Sequence, residues 1–233
     1  MYDWLSDCVS SGHVVTANQR LARTLVEEFN RKQRGAGLAA WPSPAIWPWR
    51  TWLKRILDSA NREVRVRIND DQSRVLWERC LDAEIRDPLL NLGALARLSH
   101  ETWERLHEWR VPLDDCVESA RGRDQRMFAR VAQRYRDELR QKGWIDKAML
   151  PTTLRSMIAD GGVELPSAIA LAGFDRTNPQ IDALCKTLTE IGVDVRHIET
   201  KVEGSARLHR FEDQDGELRA AGAWAREQLE DDP

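Results

Sequence analysis

His13-Val14-Val15-Thr16-Ala17-Asn18-Gln19-Arg20-Leu21-Ala22-Arg23-Thr24-Leu25 holds the first strand-to-helix junction of the chain. The β-branched run reads as a short buried strand. An amphipathic segment follows at once, with Leu21, Leu25 and Phe29 on one helical face. In a nucleotide-binding α/β protein this junction carries glycines whose backbone N–H groups cradle phosphate, followed by Lys and Ser/Thr. Thr16, Ala17, Asn18, Gln19 and Arg20 stand at that position, and the stretch from Thr16 to Thr24 has neither Gly nor Lys. The architecture of a phosphate loop is expected here without its chemistry.

Working outward, residues 13–17 are predicted as a strand and 18–33 as a helix that ends at Arg34-Gly35-Ala36-Gly37. Pro42, Pro44 and Pro48 keep Ala40 to Pro48 extended, with at most a short strand near Ala45-Ile46-Trp47. Thr51 or a neighbour is expected to cap a helix through Leu57. The middle reads as helical throughout. A helix runs from the cap cluster Asn69-Asp70-Asp71 to about Ala83, another lies within Leu89 to Glu108, and a third spans Asp124 to Lys142. Val111-Pro112 breaks the run, and Pro151 opens a further helix ending near Ala159. The period then changes. Ser167 to Phe174 is nearly continuous in apolar residues, as in a strand buried on both faces. Asn178-Pro179 starts a helix through Ile191. Val193 to Ile198 and Ala206 to Phe211 read as strands. Gly216 to Leu229 reads as a helix with Leu218, Ala221, Ala223, Trp224 and Leu229 inward. Flanks of α/β pattern around an all-α centre imply one open, mainly parallel sheet with a helical domain inserted between two of its strands.

Composition narrows the class. The chain has 233 residues, 42% of them hydrophobic and 31% charged, which suits a globular protein with a substantial core. A net charge of -3 gives no global case for nucleic-acid binding. Cys8, Cys80, Cys116 and Cys185 are far apart and show neither metal-ligand nor redox spacing, so four reduced thiols in a cytoplasmic protein are expected. The acidic N-terminus does not read as a signal peptide, and no apolar run approaches the roughly 18 residues of a membrane helix. Ten tryptophans stand beside two tyrosines and four phenylalanines. Trp41, Trp47, Trp49 and Trp52 crowd together, with Trp77, Trp103 and Trp109 in helical segments. Such clusters either pack cores or stack bases and sugars.

The candidate chemistry is sparse. The five histidines lack companions at metal-ligand spacing, and neither a nucleophile elbow nor a local cysteine signature occurs. No metal, no cofactor and no catalytic residue is assigned. Asp175, just past the strand Ile169–Gly173, and Gln180 are the polar residues at the strand end where α/β proteins place ligands. Asp175 is either a turn former or a ligand contact. Arg20, Arg23, Arg31, Lys32 and Arg34 give the first helix a positive bias, read either as a solvated face or as a strip contacting a phosphate backbone.

Several stretches together resemble AddB/RecC-like bacterial DNA-repair proteins. They are Thr16 to Arg23, then Ala40-Trp41-Pro42-Ser43-Pro44-Ala45-Ile46-Trp47-Pro48, then Trp52-Leu53-Lys54-Arg55-Ile56. In the same order follow Trp103-Glu104-Arg105-Leu106-His107-Glu108-Trp109, Leu171 to Gln180, and Phe211 to Ala221. The resemblance implies a RecA-like, degenerate P-loop NTPase-like sheet domain related to superfamily 1 helicases. Its parts would be residues 1–62 and 163–204, an inserted helical subdomain at 63–162, and the truncated start of a second helicase-like domain at 205–233. A nuclease domain would lie outside this stretch, making it an N-terminal fragment or a truncated product. The implied function is a non-catalytic module that binds single-stranded DNA or a duplex end, or a superfamily 1 helicase-nuclease subunit. Asn18, Arg20, Arg23, Trp103 and Trp109 are the candidate DNA contacts. An Asp-Glu pair for magnesium is absent after Gly173, where Phe174-Asp175 stands, so phosphoryl transfer is not expected. Two other classes remain open: a small-molecule enzyme using Asp175, and a structural adaptor.

Overall fold

A computed structural model of the chain describes residues 2–60, 66–85, 91–199 and 208–230. The chain divides into two compact units, Met1–Glu199 and Thr200–Pro233. In the first unit α1 (Trp4–Ser11) and β1 (His13–Thr16) precede α2 (Gln19–Gly35), β2 (Ile46–Pro48) and α3 (Trp49–Asp58). A mainly helical block follows: β3 (Val66–Arg67), α4 (Asp70–Asp82), α5 (Leu92–Glu108), α6 (Leu113–Ser119), α7 (Arg123–Lys142) and β4 (Trp144–Ile145). A 3-10 turn at Lys147–Met149 leads into α8 (Leu150–Ala159), β5 (Ala168–Ala172), α9 (Pro179–Glu190) and β6 (Asp194–Ile198). The second unit holds α10 (Gln214–Glu230).

The fold is α/β. Four parallel strands form a sheet in the order β2-β1-β5-β6, so β1 is interior and the helical block lies in sequence between two neighbouring regions of the sheet. The period of two along each strand sorts the side chains. Val14, Ala170 and Ala172 face α1 and α2, with Leu5, Leu25 and Phe29. Val15, Ile169 and Leu171 face the opposite way, onto Trp52, Leu57, Leu154 and Leu184 of α3, α8 and α9. The register Val14↔Ala170 and Val15↔Leu171 keeps both sets in line. β6 is an edge, and its Asp194 and Arg196 are ion-paired and exposed, which guards the open ladder.

The helical block has its own core. Trp77 stacks on Tyr135 with ring centroids 4.1 Å apart, and Trp103 meets Tyr135 edge-on. Val131, Ala132 and Leu139 line the same face of α7. A two-residue parallel bridge, Val66↔Trp144 and Arg67↔Ile145, ties the start of the block to its end.

Local signals fix most boundaries. Asn69 and Gln72 exchange side-chain-to-backbone bonds as a capping box for α4, Asn91 caps α5, and Gly143 ends α7 in the left-handed region. Four expectations need correction. Thr51 does not cap α3, because the helix begins at Trp49 behind Pro48, whose ring fixes the extended entry. α1 and α6 were not foreseen; α1 is short and is held by burying Leu5 and Cys8 on the sheet. The strand expected at Ala206 to Phe211 is absent over residues 208–211, since a strand needs a ladder partner, and residues 206–207 lie outside the described residues. Leu218, Trp224 and Leu229 of α10 are exposed rather than inward, and among the described residues of its unit none forms a buried cluster to receive them. Among the described residues no helix is long and apolar enough to cross a membrane.

Candidate functional site

The chain leaves β1 toward β2 on one side and leaves β5 toward β6 on the other. The carboxyl ends of β1 and β5 therefore flank the point where the winding direction reverses, the place where open α/β sheets hold ligands. A cavity of about 150 Å³ opens there, bordered by Ala17 after β1, Phe174 and Asn178 after β5, and Trp49 at the start of α3. Glu104 and Lys147 of the helical block overhang it.

The β1–α2 junction beside this cavity is only Ala17 and Asn18 long. It consumes its own hydrogen-bonding groups. Thr16, fully buried, donates its hydroxyl to the Asn18 carbonyl at 2.9 Å, and Ala17 N donates to the Ala172 carbonyl at 3.1 Å. Asn18 Oδ1 accepts from Leu21 N at 2.9 Å and caps α2. Leu21 packs over Gly173, whose φ of +74° suits glycine and where a Cβ would lie 2.6 Å from Leu21 Cδ2. A phosphate cradle is a longer glycine-rich loop followed by Lys; this junction is two residues long, has neither Gly nor Lys, and its Ala17 and Leu21 N–H groups are engaged. Of the two readings of Asn18, capping is the one its bonds express. Gln19, Arg20 and Arg23 are exposed on α2.

The remaining candidates separate. Trp103 is 3% exposed and its indole N–H donates to Asp146 Oδ2 at 2.8 Å, so it packs the block and does not face a ligand. Its apolar bulk and single donor are both consumed inside. Trp109, at the C-terminal cap of α5, is exposed. Gln180 borders the cavity but is buried, and its amide donates to the Ala148 carbonyl at 2.8 Å, fastening α9 to the 3-10 turn. Asp175 is exposed and does not border the cavity.

A second cavity, of about 350 Å³, shares Arg50 and Lys147 with the first. It runs between α3, β3 and the 3-10 turn, past Lys54, Arg67 and Asp70. Glu104 lies between the cavities and the block's interior: Lys147 Nζ is 2.7 Å from its Oε1, His100 Nε2 is 3.1 Å from the same atom, and Arg50 is 3.8 Å from its Oε2.

Behind Glu104 runs a buried polar chain. Tyr135 donates its hydroxyl to Asp146 Oδ2 at 2.9 Å. Ser73 Oγ bridges the chain, 2.7 Å from the Tyr135 hydroxyl and 3.1 Å from His100 Nδ1. Burial and the Lys147 ammonium hold the His100 pKa below its ordinary value, although Asp146 and Asp70 pull the other way. Burial, followed by the Asp146 carboxylate, pushes the Tyr135 phenol far up, so it stays a donor. Asp146 Oδ1 also accepts from Ala148 N and Met149 N. One carboxylate thus anchors α5, α7 and the 3-10 turn.

Sequence reasoning missed Arg50, Lys54, Arg67, Glu104, Asp146 and Lys147 as a group. Arg50 and Lys54 are four apart on a helix whose other face is Trp52, Leu53, Ile56 and Leu57, and that spacing was legible. The others converge from β3, α5 and the 3-10 turn with its cap Asp146. No protein-family model and no curated protein matches the chain.

Proposed function

We propose that this chain is a non-hydrolysing, helicase-like module of a DNA recombination and repair protein, a RecA-like sheet with a degenerate nucleotide loop. The observation that carries the reading is the β1–α2 junction. It stands beside the reversal point of a parallel sheet, where a nucleotide loop belongs, and its groups are engaged locally: Ala17 N donates to the Ala172 carbonyl, the Asn18 carbonyl accepts from the Thr16 hydroxyl, and Asn18 Oδ1 accepts from Leu21 N. The interior position of β1 and the helical block inserted after α3 support the same scaffold. Such a module acts by binding DNA or a helicase-nuclease subunit, with Arg20, Arg23 and Trp109 as its exposed candidates. Asp175, on which an enzyme reading would rest, is exposed and does not line the cavity at the sheet's carboxyl edge.

The test is ATP hydrolysis with magnesium, with and without single-stranded DNA. No turnover is expected in either case, and measurable magnesium-dependent turnover by the purified chain overturns the proposal. An oligonucleotide titration separates the two modes of action. Binding that falls steeply between about 50 and 200 mM salt marks direct phosphate contact. No binding at low salt assigns the module to a protein partner.

A further inference from the structure

We propose that the larger cavity, between α3, β3 and the 3-10 turn, is an oxyanion site that takes a phosphoryl group. The inference is independent of the helicase-like reading and concerns a different place from the β1–α2 junction.

The charges on the cavity wall do not cancel group by group. Its carboxylates are all engaged: Asp70 with Lys147 at 3.2 Å, Asp71 with Arg74 at 3.5 Å, and Asp146 with four N–H and O–H donors. Among its cations Lys147 is paired with both Asp70 and Glu104, and the other three are matched less fully. Lys54 has no ion pair among the described residues. Arg50 has only Glu104, at 3.8 Å, and Lys147 holds that carboxylate more closely at 2.7 Å. Arg67 pairs with Asp58 through Nη2, while its Nη1 is buried and has no acceptor among the described residues.

A buried guanidinium N–H without an acceptor is costly and points to a group that supplies one. The acceptor that suits Arg67, Lys54 and Arg50 together is a tetrahedral oxyanion, which offers several oxygens to donors from different directions. A volume of about 350 Å³ admits a phosphoryl group with more of its parent molecule attached. The shared chemistry has two sources, a free phosphorylated anion and the phosphate of a nucleic-acid backbone.

Two titrations on the full chain test the site: pyrophosphate by calorimetry, and a labelled single-stranded oligonucleotide by anisotropy, both at low salt. Wild-type protein is expected to bind pyrophosphate. Lys54→Gln and Arg67→Gln should each weaken it about tenfold or more, the loss expected for one charge-assisted contact. Arg67→Lys, which keeps the charge but not the fork, should recover part of the loss. Lys186→Gln, on exposed α9 surface outside the cavity, should bind as wild type. Cooperative melting of each variant checks that it folds. If the same variants also weaken the oligonucleotide, the phosphoryl group is that of a nucleic-acid backbone; if the oligonucleotide is indifferent to them, it is a free anion. Absence of pyrophosphate binding overturns the proposal, as does pyrophosphate binding unchanged by both Lys54→Gln and Arg67→Gln. ATP turnover, the test of the helicase-like reading, is a separate readout, so either idea can fail alone.

Discussion

Replacing Asp146 with Ala should be among the most damaging single changes in this protein, and its cost can be assembled from its bonds. Oδ2 receives the Trp103 indole N–H at 2.8 Å and the Tyr135 hydroxyl at 2.9 Å, both within the core of the helical block. Oδ1 receives Ala148 N at 3.1 Å and Met149 N at 3.2 Å. Asp146 itself is 1% exposed. Truncation strands the indole donor, which costs about 1–3 kcal/mol. Losing the cap costs about 1 kcal/mol more. Tyr135 can turn toward Ser73, so its share is at the low end, about 1 kcal/mol. A sum of about 3–5 kcal/mol follows, a large fraction of the roughly 5–15 kcal/mol that holds a domain folded. Urea unfolding, followed by tryptophan fluorescence, reads it directly. With a slope of about 2 kcal/mol per molar, the midpoint should fall by about 1.5–2.5 M. Asp114→Ala is the comparison. That carboxylate pairs with Arg136 at 2.9 Å but is largely exposed, and its loss should cost at most about 0.5 kcal/mol. Trp103→Phe leaves no stranded donor, so Asp146→Ala should cost much less in a Trp103→Phe background than in wild type. A midpoint for Asp146→Ala no lower than that of Asp114→Ala would refute the hub assigned to this residue.

Three other expectations rest on separate features. Gly12→Ala should destabilise by about 1–3 kcal/mol or more in thermal melting, because its Cβ would lie 2.0 Å from the Ala168 carbonyl oxygen, a backbone atom that cannot turn aside. Burial, the largest cause in each case, holds the pKa values of His13, His100 and His107 below the ordinary value, so each binds a proton less readily in the folded chain than in the unfolded one. The unfolded chain then binds more protons, and their contribution is complete above about pH 6.5 and is lost as pH falls through the folded values; the urea midpoint should drop between about pH 7 and 5. Burial pushes the thiols of Cys80 and Cys185 up to about 11, so both should resist a thiol reagent at neutral pH and react fully in urea.

The sequence by itself determined most of the elements and their kind. Short apolar runs placed β1 and β5, period 3.6 placed α2, α5 and α7, and Asn69 and Gly143 set helix ends, because caps and periodicity act over a few residues of chain. The missing glycines of the first junction were equally plain, and a two-residue turn closed by Asn18 is how the fold accommodates their absence. Trp103 shows the limit. Its helix was legible, but a tryptophan that stacks on a ligand and one that fills a core have the same spacing, and only Asp146, forty-three residues on, decides between them. The cavity of Arg50, Lys54, Arg67 and Lys147 depends still more on tertiary structure. Its residues come from α3, β3 and the 3-10 turn, and which charges pair and which stay unmatched is fixed by distances that no local pattern encodes.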